Sequence, residues 1–254
     1  FPEEFEAEED TSNSMSTSLV RATAPASFPS LLSIPISGRP VFPGFYKTIS
    51  IKDKMLISAM TKLLKKGSPY VGIFLNSVDI NENETIHKLK DIHKIGVLAQ
   101  IVNVIPLQGS SATAIVYPHR RIRALDILPD SDDHISHLKI ENYPDEPYDK
   151  NNRYLRAVSQ EIYTTLSDVA KFNPFFREHL THHNISPNVF EDPAKLADFV
   201  AVLCAADSQE LQEILESSVI EERLRKALVL LKKELLNAQL QNTISKDVEN
   251  KLNQ

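Results

Sequence analysis

The sequence predicts an α+β protein: a small curled or barrel-like sheet with one helix, then an all-helical region ending in a long C-terminal helix. Two observations carry that reading. All six glycines lie between Gly38 and Gly109, and the last proline is Pro193, so turn-forming residues thin out along the chain. Apolar residues also change their spacing, from strand-like runs before residue 143 to helical three-and-four spacing after residue 152.

Taken in order, residues 1–29 form an acidic leader. FPEEFEAEED is followed by TSNSMSTS, too little apolar surface to offset ordering, and disorder is expected. Residues 30–142 read as the β-rich domain, through LLSIPI, YKTISI, YVGIFL, GVLAQIVNVI, ATAIVY and RIRALDIL, each bounded by turn signals. One helix interrupts them from Asp53 to Lys65, with Leu56, Met60, Leu63 and Leu64 on one face. The later strands follow one another too closely for helical crossovers, which excludes a doubly wound sheet.

YPDEPYDKNN, residues 143–152, reads as a linker. Helices then fill 153–217, with starts at Asn173-Pro174, Ser186-Pro187 and Asp192-Pro193 and capping-box spacing at Asp207/Glu210 and Ser218/Glu221. Residues 218–254 form the last helix, about 50 Å long at 1.5 Å per residue. Its first stripe is Ile220, Leu224, Leu228, Leu231 and Leu235; a second, spaced strictly by four, runs Leu236, Leu240, Ile244, Val248 and Leu252. Two faces imply two partners, and no cap precedes Asn253-Gln254. The helix is therefore expected to lead toward a further module, and the opening Phe1 suggests a processed or excised chain.

Composition narrows the function. At 254 residues with 42% hydrophobic content the chain can bury a sizeable core, and no apolar run approaches the roughly 20 residues of a membrane span. The net charge of −6 comes from the six carboxylates of the first ten residues; the remaining 28 acids balance 28 Lys and Arg. A balanced body argues against a dedicated nucleic-acid binder. The lone Cys204 sits in FVAVLCAAD and reads as a buried small hydrophobe.

The sequence carries no recognisable catalytic pattern. Gly67 and Gly72 have phosphate-loop spacing, but Ile73 and Phe74 stand where Lys and Ser/Thr belong. GxSxG is missing. HLTHH, with His179, His182 and His183, lacks the glutamate of a zinc helix and reads as helix-end histidines rather than ligands. HRRIR, residues 119–123, reads as a strand with a solvated or salt-bridged outer face, with a phosphate-binding patch as the alternative, and Asp132/Asp133 and Asp145/Glu146 as solvated surface.

PVFPGFYKTISI, PYVGIFL, IGVLAQIVNV and YPHRRIRALDIL, in that order, resemble the N-terminal domain of the ATP-dependent Lon proteases. ADSQELQEILESSVIEERLRKALVLLKKELLNAQLQNTISKDVENKL resembles the helical region that follows it. The wording is nearest to the mitochondrial, fungal type, over residues 30–254. The resemblance implies a PUA-like β domain, a helical subdomain and a helix toward a hexameric AAA+ ring in the mitochondrial matrix. It also implies unfolded or damaged polypeptides as partners. In the whole enzyme ATP with Mg drives unfolding and a Ser-Lys dyad cuts; no position here matches either, so no catalytic, cofactor or metal residue is assigned. Family members bind DNA, which the charge balance does not support for this region.

RPVFPGFY, residues 39–46, is unusually aromatic for a turn in a chain with 7% aromatic residues. Substrate contact is expected at Phe42, Phe45, Tyr46 and Tyr70, with a barrel-end plug as the alternative for Phe42 and Phe45. Oligomerisation is expected through Leu224, Leu228, Leu231, Leu235, Leu240 and Ile244. A nucleic-acid-binding module and a stand-alone substrate adaptor are the other readings left open.

Overall fold

The computed structural model describes residues 24–78, 84–132, 134–181 and 188–253. Six strands form one sheet: β1 (Leu31–Ile36), β2 (Lys47–Ile51), β3 (Tyr70–Leu75), β4 (Ile95–Pro106), β5 (Ala112–Ile127) and β6 (Ser136–Asn142). Their order is β2-β5-β4-β3-β1-β6, and β6 pairs again with β5. Five strands therefore close into a barrel, with β2 attached alongside the first part of β5. The parallel β1–β3 pair is bridged by β2 and the helix α1 (Lys54–Lys65), which begins where the sequence places it: the Asp53 carboxylate accepts the Met55 and Leu56 N–H groups.

Two strand readings need correction. RIRALDIL is not a separate strand but the continuation of ATAIVY through Pro118, in a 16-residue β5. The strand that closes the barrel is SHLKIEN, β6, which the sequence reading passed over. Pro118 survives inside β5 because the register shifts beside it, Leu98 pairing with Arg120 and Ala99 with Pro118 so that His119 is the extra residue of β5, and proline is tolerated at such irregularities.

The apolar runs follow from burial on two faces. One set of alternate residues, including Leu31, Phe74, Leu98, Ile122 and Leu138, fills the barrel. The other set, including Leu32, Ile34, Val71, Ile73 and Val97, packs outward against Leu56 and Met60 of α1 and joins the core of the helical region. Gly96 is needed at the tightest crossing, where a Cβ would stand 2.2 Å from the Ile73 carbonyl oxygen.

The helical region comprises α2 (Arg153–Phe172), α3 (Pro174–Thr181), α4 (Asn188–Glu191), α5 (Pro193–Leu203), α6 (Ser208–Glu216) and α7 (Ile220–Leu252). Asn173, Asp192 and Asp207 accept N–H groups of the first turns of α3, α5 and α6. Ser186-Pro187 lies outside the described residues. Ser218 does not cap: α7 starts after Val219 without a side-chain cap, and the Ser218 carbonyl oxygen instead accepts the Glu146 N–H.

Two buried guanidinium groups join the regions. Arg121 on β5 makes paired bonds of 2.9 and 2.7 Å to the Asp198 carboxylate on α5 and donates to the Leu215 carbonyl oxygen of α6 at 2.7 Å. Arg223 on α7, fully buried, pairs with Asp145. Asp145 is thus a structural partner and not the solvated surface acid that its sequence context suggests. Around it, residues 143–152 are tied to the helices: the Tyr143 hydroxyl donates to the Glu216 carbonyl oxygen and that of Tyr148 to Asp192. Residues 24–28 also lie on the barrel, where Arg120 donates to the Ala24 and Pro25 carbonyl oxygens.

Removing one member of a buried pair leaves the other charge uncompensated. Asp198→Asn is expected to destabilise the protein by about 3–5 kcal/mol in urea unfolding. The volume-matched Arg121→Met/Asp198→Leu double variant should lose less.

Candidate functional site

RPVFPGFY is a joint that ends in an exposed ring. The Arg39 guanidinium donates to the carbonyl oxygens of Cys204, Ala201 and Val202 at 2.9, 3.0 and 3.2 Å, placing a cation on the negative C-terminal end of α5. Val41 and Phe42 are buried in the shared core. Gly44 turns at φ +89° and its N–H donates to the Pro118 carbonyl oxygen at 3.0 Å, tying the turn to β5. Phe45, half-buried, stacks on Phe199 of α5 with ring centroids 6.1 Å apart. The last ring, Tyr46, is 60% exposed.

The four expected contact residues therefore separate. Phe42 and Phe45 brace the joint, whereas Tyr46 faces solvent. Tyr70 is buried at 3% exposure, and its hydroxyl has no hydrogen-bond partner among the described residues. The structure nevertheless links the two tyrosines through residues the sequence reading did not select. Tyr46 meets Tyr117 (4.9 Å between centroids), Tyr117 meets His119 (5.1 Å), His119 meets Tyr70 (6.1 Å) and Tyr70 meets Phe28 (5.4 Å). The available signal was the alternation Tyr117-x-His119, which puts both rings on one face of a strand. Phe28 was hidden by its place in the expected leader.

Two rings of this row, Tyr117 and His119, border a cleft of about 700 Å3 between barrel and helices. Pro43 and Phe45 stand on the barrel side, Val189 and Lys195 opposite, and the Arg121–Asp198 and Arg223–Asp145 pairs are part of its lining. Burial and then the Arg120 charge hold the His119 imidazole below its usual pKa, so this ring is neutral near pH 7. Burial, then Tyr46, pushes the Tyr117 phenol up. Burial, then the Asp192 hydrogen bond, does the same at Tyr148. At Arg121 burial opposes the charge, but Asp198 outweighs it and the guanidinium pKa is raised. The cleft thus sets aromatic rings among charged groups, of which the buried Arg121 and Arg223 are ion-paired.

The basic run is consumed internally. Arg120 and Arg121 are engaged as above, and Arg123 pairs with Glu141 at 2.9 Å and lies over the Tyr143 ring. His179 sits on Phe175, its Nδ1 2.9 Å from the Phe175 carbonyl oxygen; His182 and His183 lie outside the described residues. On α7, Leu224 and Leu231 are fully buried within this chain, and Leu228 and Leu235 pack on the same core. Leu240 and Ile244 are 59% and 52% exposed, in line with exposed Leu236, Val248 and Leu252.

Residues 30–233 match the family model of the ATP-dependent protease La (LON) substrate-binding domain. The chain belongs to the Lon substrate-binding domain family. It is 39% identical to the mitochondrial Lon protease homologue of Aspergillus niger, over 92% of this chain and 25% of that protein. For the Schizosaccharomyces pombe homologue the figures are 36%, 91% and 27%. The chain thus spans about a quarter of the length of these relatives. Their mitochondrial naming agrees with the matrix location that the motifs imply. The N-terminal domain of the Mycobacterium avium complex Lon protease superposes with a TM-score of 0.60 at 18% identity, covering 80% of this chain and 98% of that one. The Lon N-terminal domain protein from Xanthomonas campestris gives 0.52 at 12% identity. These two share the fold.

Cys204 closes the α5 end of this Lon domain. Burial, reinforced by Glu234, pushes its thiol up to about 12. Below that value it is a protonated, inert thiol. Iodoacetamide at pH 8 should leave the folded protein unlabelled and label Cys204 in urea; rapid labelling of the folded protein would contradict this assignment.

Proposed function

We propose that this chain is the substrate-recognition and oligomerisation region of a mitochondrial ATP-dependent Lon-type serine protease that degrades misfolded, unassembled or damaged proteins. Recognition is non-catalytic. ATP, Mg and the cleaving dyad belong to AAA+ and protease modules outside these 254 residues, and no cofactor or metal is needed by the region itself.

The observation that supports recognition is exposed Tyr46 set against Tyr117, which with His119 lines the cleft. Unfolded proteins share exposed apolar groups rather than one sequence, so their receptor needs ring surface without a fixed pattern of donors and acceptors. Tyrosine suits this role, because it presents large contact area with few rotatable bonds. Assembly is supported by the exposed stripe Leu236–Leu252, whose counterpart on the first half of α7 is already covered by the chain's own core. Full-length relatives are expected to assemble as hexamers, and the outer half of α7 offers a continuous exposed apolar stripe for such contacts.

The test of recognition is fluorescence anisotropy with labelled, reduced and carboxymethylated α-lactalbumin, which cannot fold. Tyr46→Ala/Tyr117→Ala should weaken binding about tenfold, since each aromatic contact contributes about 0.5–1.5 kcal/mol. Unchanged binding would remove the ring row from the site. The chain alone should hydrolyse neither ATP nor the unfolded protein.

For assembly, Leu240→Asp/Ile244→Asp should abolish any self-association seen by sedimentation. Because both side chains are exposed, the thermal midpoint should not move. Association that persists in the variant would place the contact elsewhere.

A further inference from the structure

The barrel is closed along only part of its seam. β6 joins β1 to β5, but its pairing with β1 ends at Ser33 and its pairing with β5 begins at Ile122. Beyond those points β2 lies along β5 at Ala112–Val116, with no pairing to β1. A slot of about 420 Å3 separates them, lined by Ile34–Ser37 on one side and Lys47–Lys52 on the other.

Main-chain parity shows what the slot offers. The Pro118 carbonyl oxygen accepts from Gly44 N–H and the Ser111 carbonyl oxygen accepts from Leu107 N–H of the β4–β5 hairpin. The even-numbered residues of β5 from Ala112 to Val116 therefore face β2. They pair with Lys47, Ile49 and Ile51, so Thr48 and Ser50 turn their N–H and C=O groups away from β5, into the slot. Lys52, next in that parity, confirms the direction: its N–H donates at 2.6 Å to Glu84, a residue of the slot wall.

On the opposite side the Ile36 carbonyl oxygen accepts from Asn76 N–H after β3. Pro35 therefore faces the slot, presenting a carbonyl and no N–H. That missing donor is a physical reason why β2 does not close the ladder onto β1.

We infer that the slot takes a short extended segment of an unfolded polypeptide, added as a strand along the Thr48–Ser50 edge of β2 and read through its main chain. This rests on the substrate-recognition reading above and supplies the mode of recognition. Donors and acceptors repeating every second residue complement a main chain and no particular side chain, as a receptor for many sequences requires. A second copy of β2 is a poor occupant. Exposed Lys47 and Lys52 stand at both ends of the edge, so pairing two such edges in either direction brings lysine to lysine. The same lysines favour segments with flanking acids.

The experiment uses the whole chain and two probes in anisotropy: the labelled, carboxymethylated α-lactalbumin, and a 12-residue acidic-flanked peptide from it. Ser50→Pro removes a slot-facing N–H and leaves the bonds to β5 intact; it should weaken both probes at least tenfold at an unchanged thermal midpoint. The peptide with its four central amides N-methylated should bind the unaltered protein at least tenfold more weakly, a measurement that decides if Ser50→Pro does not fold. Normal binding of the methylated peptide overturns main-chain pairing, while loss in Tyr46→Ala/Tyr117→Ala alone would still sustain the ring row. Unaltered protein that binds neither probe overturns both.

Discussion

The Arg121–Asp198 pair is the constraint on which the rest of the architecture depends. Two charges taken out of water gain stability only if geometry and further hydrogen bonds offset desolvation. Here the guanidinium meets both carboxylate oxygens and one helix carbonyl. Such an arrangement tolerates little displacement of α5 and α6 against β5. An apolar contact would let the helices slide, because hydrophobic attraction is non-directional. The two regions consequently share one apolar cluster, running from Leu32 and Ile73 of the barrel to Leu196 and Leu224 of the helices.

With α5 fixed, the turn before β2 acquires both of its roles. Arg39 reaches the C-terminal carbonyls of α5 and Phe45 stacks on its Phe199, so the turn is anchored from the helical side. Gly44 anchors it from β5. Tyr46 follows immediately and can remain exposed against Tyr117 without disordering, because its neighbours are held. The apolar character of RPVFPGFY thus follows along most of its length from the joint between barrel and helices, where Phe42 and Phe45 pack, and only Tyr46 is left facing solvent.

Much of this was legible in the sequence. Periodicity gave the α+β class, Asn173, Asp192 and Asp207 marked helix starts through their local capping chemistry, and separated motifs in order pointed to the Lon family. What remained hidden depends on contacts distant in sequence. Arg223 interrupts an apolar helix face and looks like an error until Asp145, 78 residues away, is seen against it. Arg121 alternates with barrel residues as an outward side chain should; that outward means buried follows only from the helices packed there. β6 was missed because SHLKIEN is polar wherever its outer face meets solvent, so its few inward residues, Ser136 and Leu138, make too weak a pattern. Tyr117 and His119 join Tyr46 and Phe28 only after the sheet has curled.

The long helix shows how one element can serve both halves of such a molecule. Its first stripe uses spacings of three and four, which keep apolar residues over one groove, and Leu224, Ala227 and Leu231 are buried there. From Leu236 the spacing becomes four throughout. Each step of four advances about 40° beyond a full turn at 3.6 residues per turn, so the apolar line rotates away from the chain's own core as the helix leaves it. Leu235 is half-buried, whereas Leu236, Leu240, Ile244, Val248 and Leu252 are all at least 50% exposed. A helix evolved only to finish this core would have become polar at that point. Five large apolar side chains on one winding line, exposed past the half-buried Leu235, are the physical basis for the assembly contact proposed for the second half of α7.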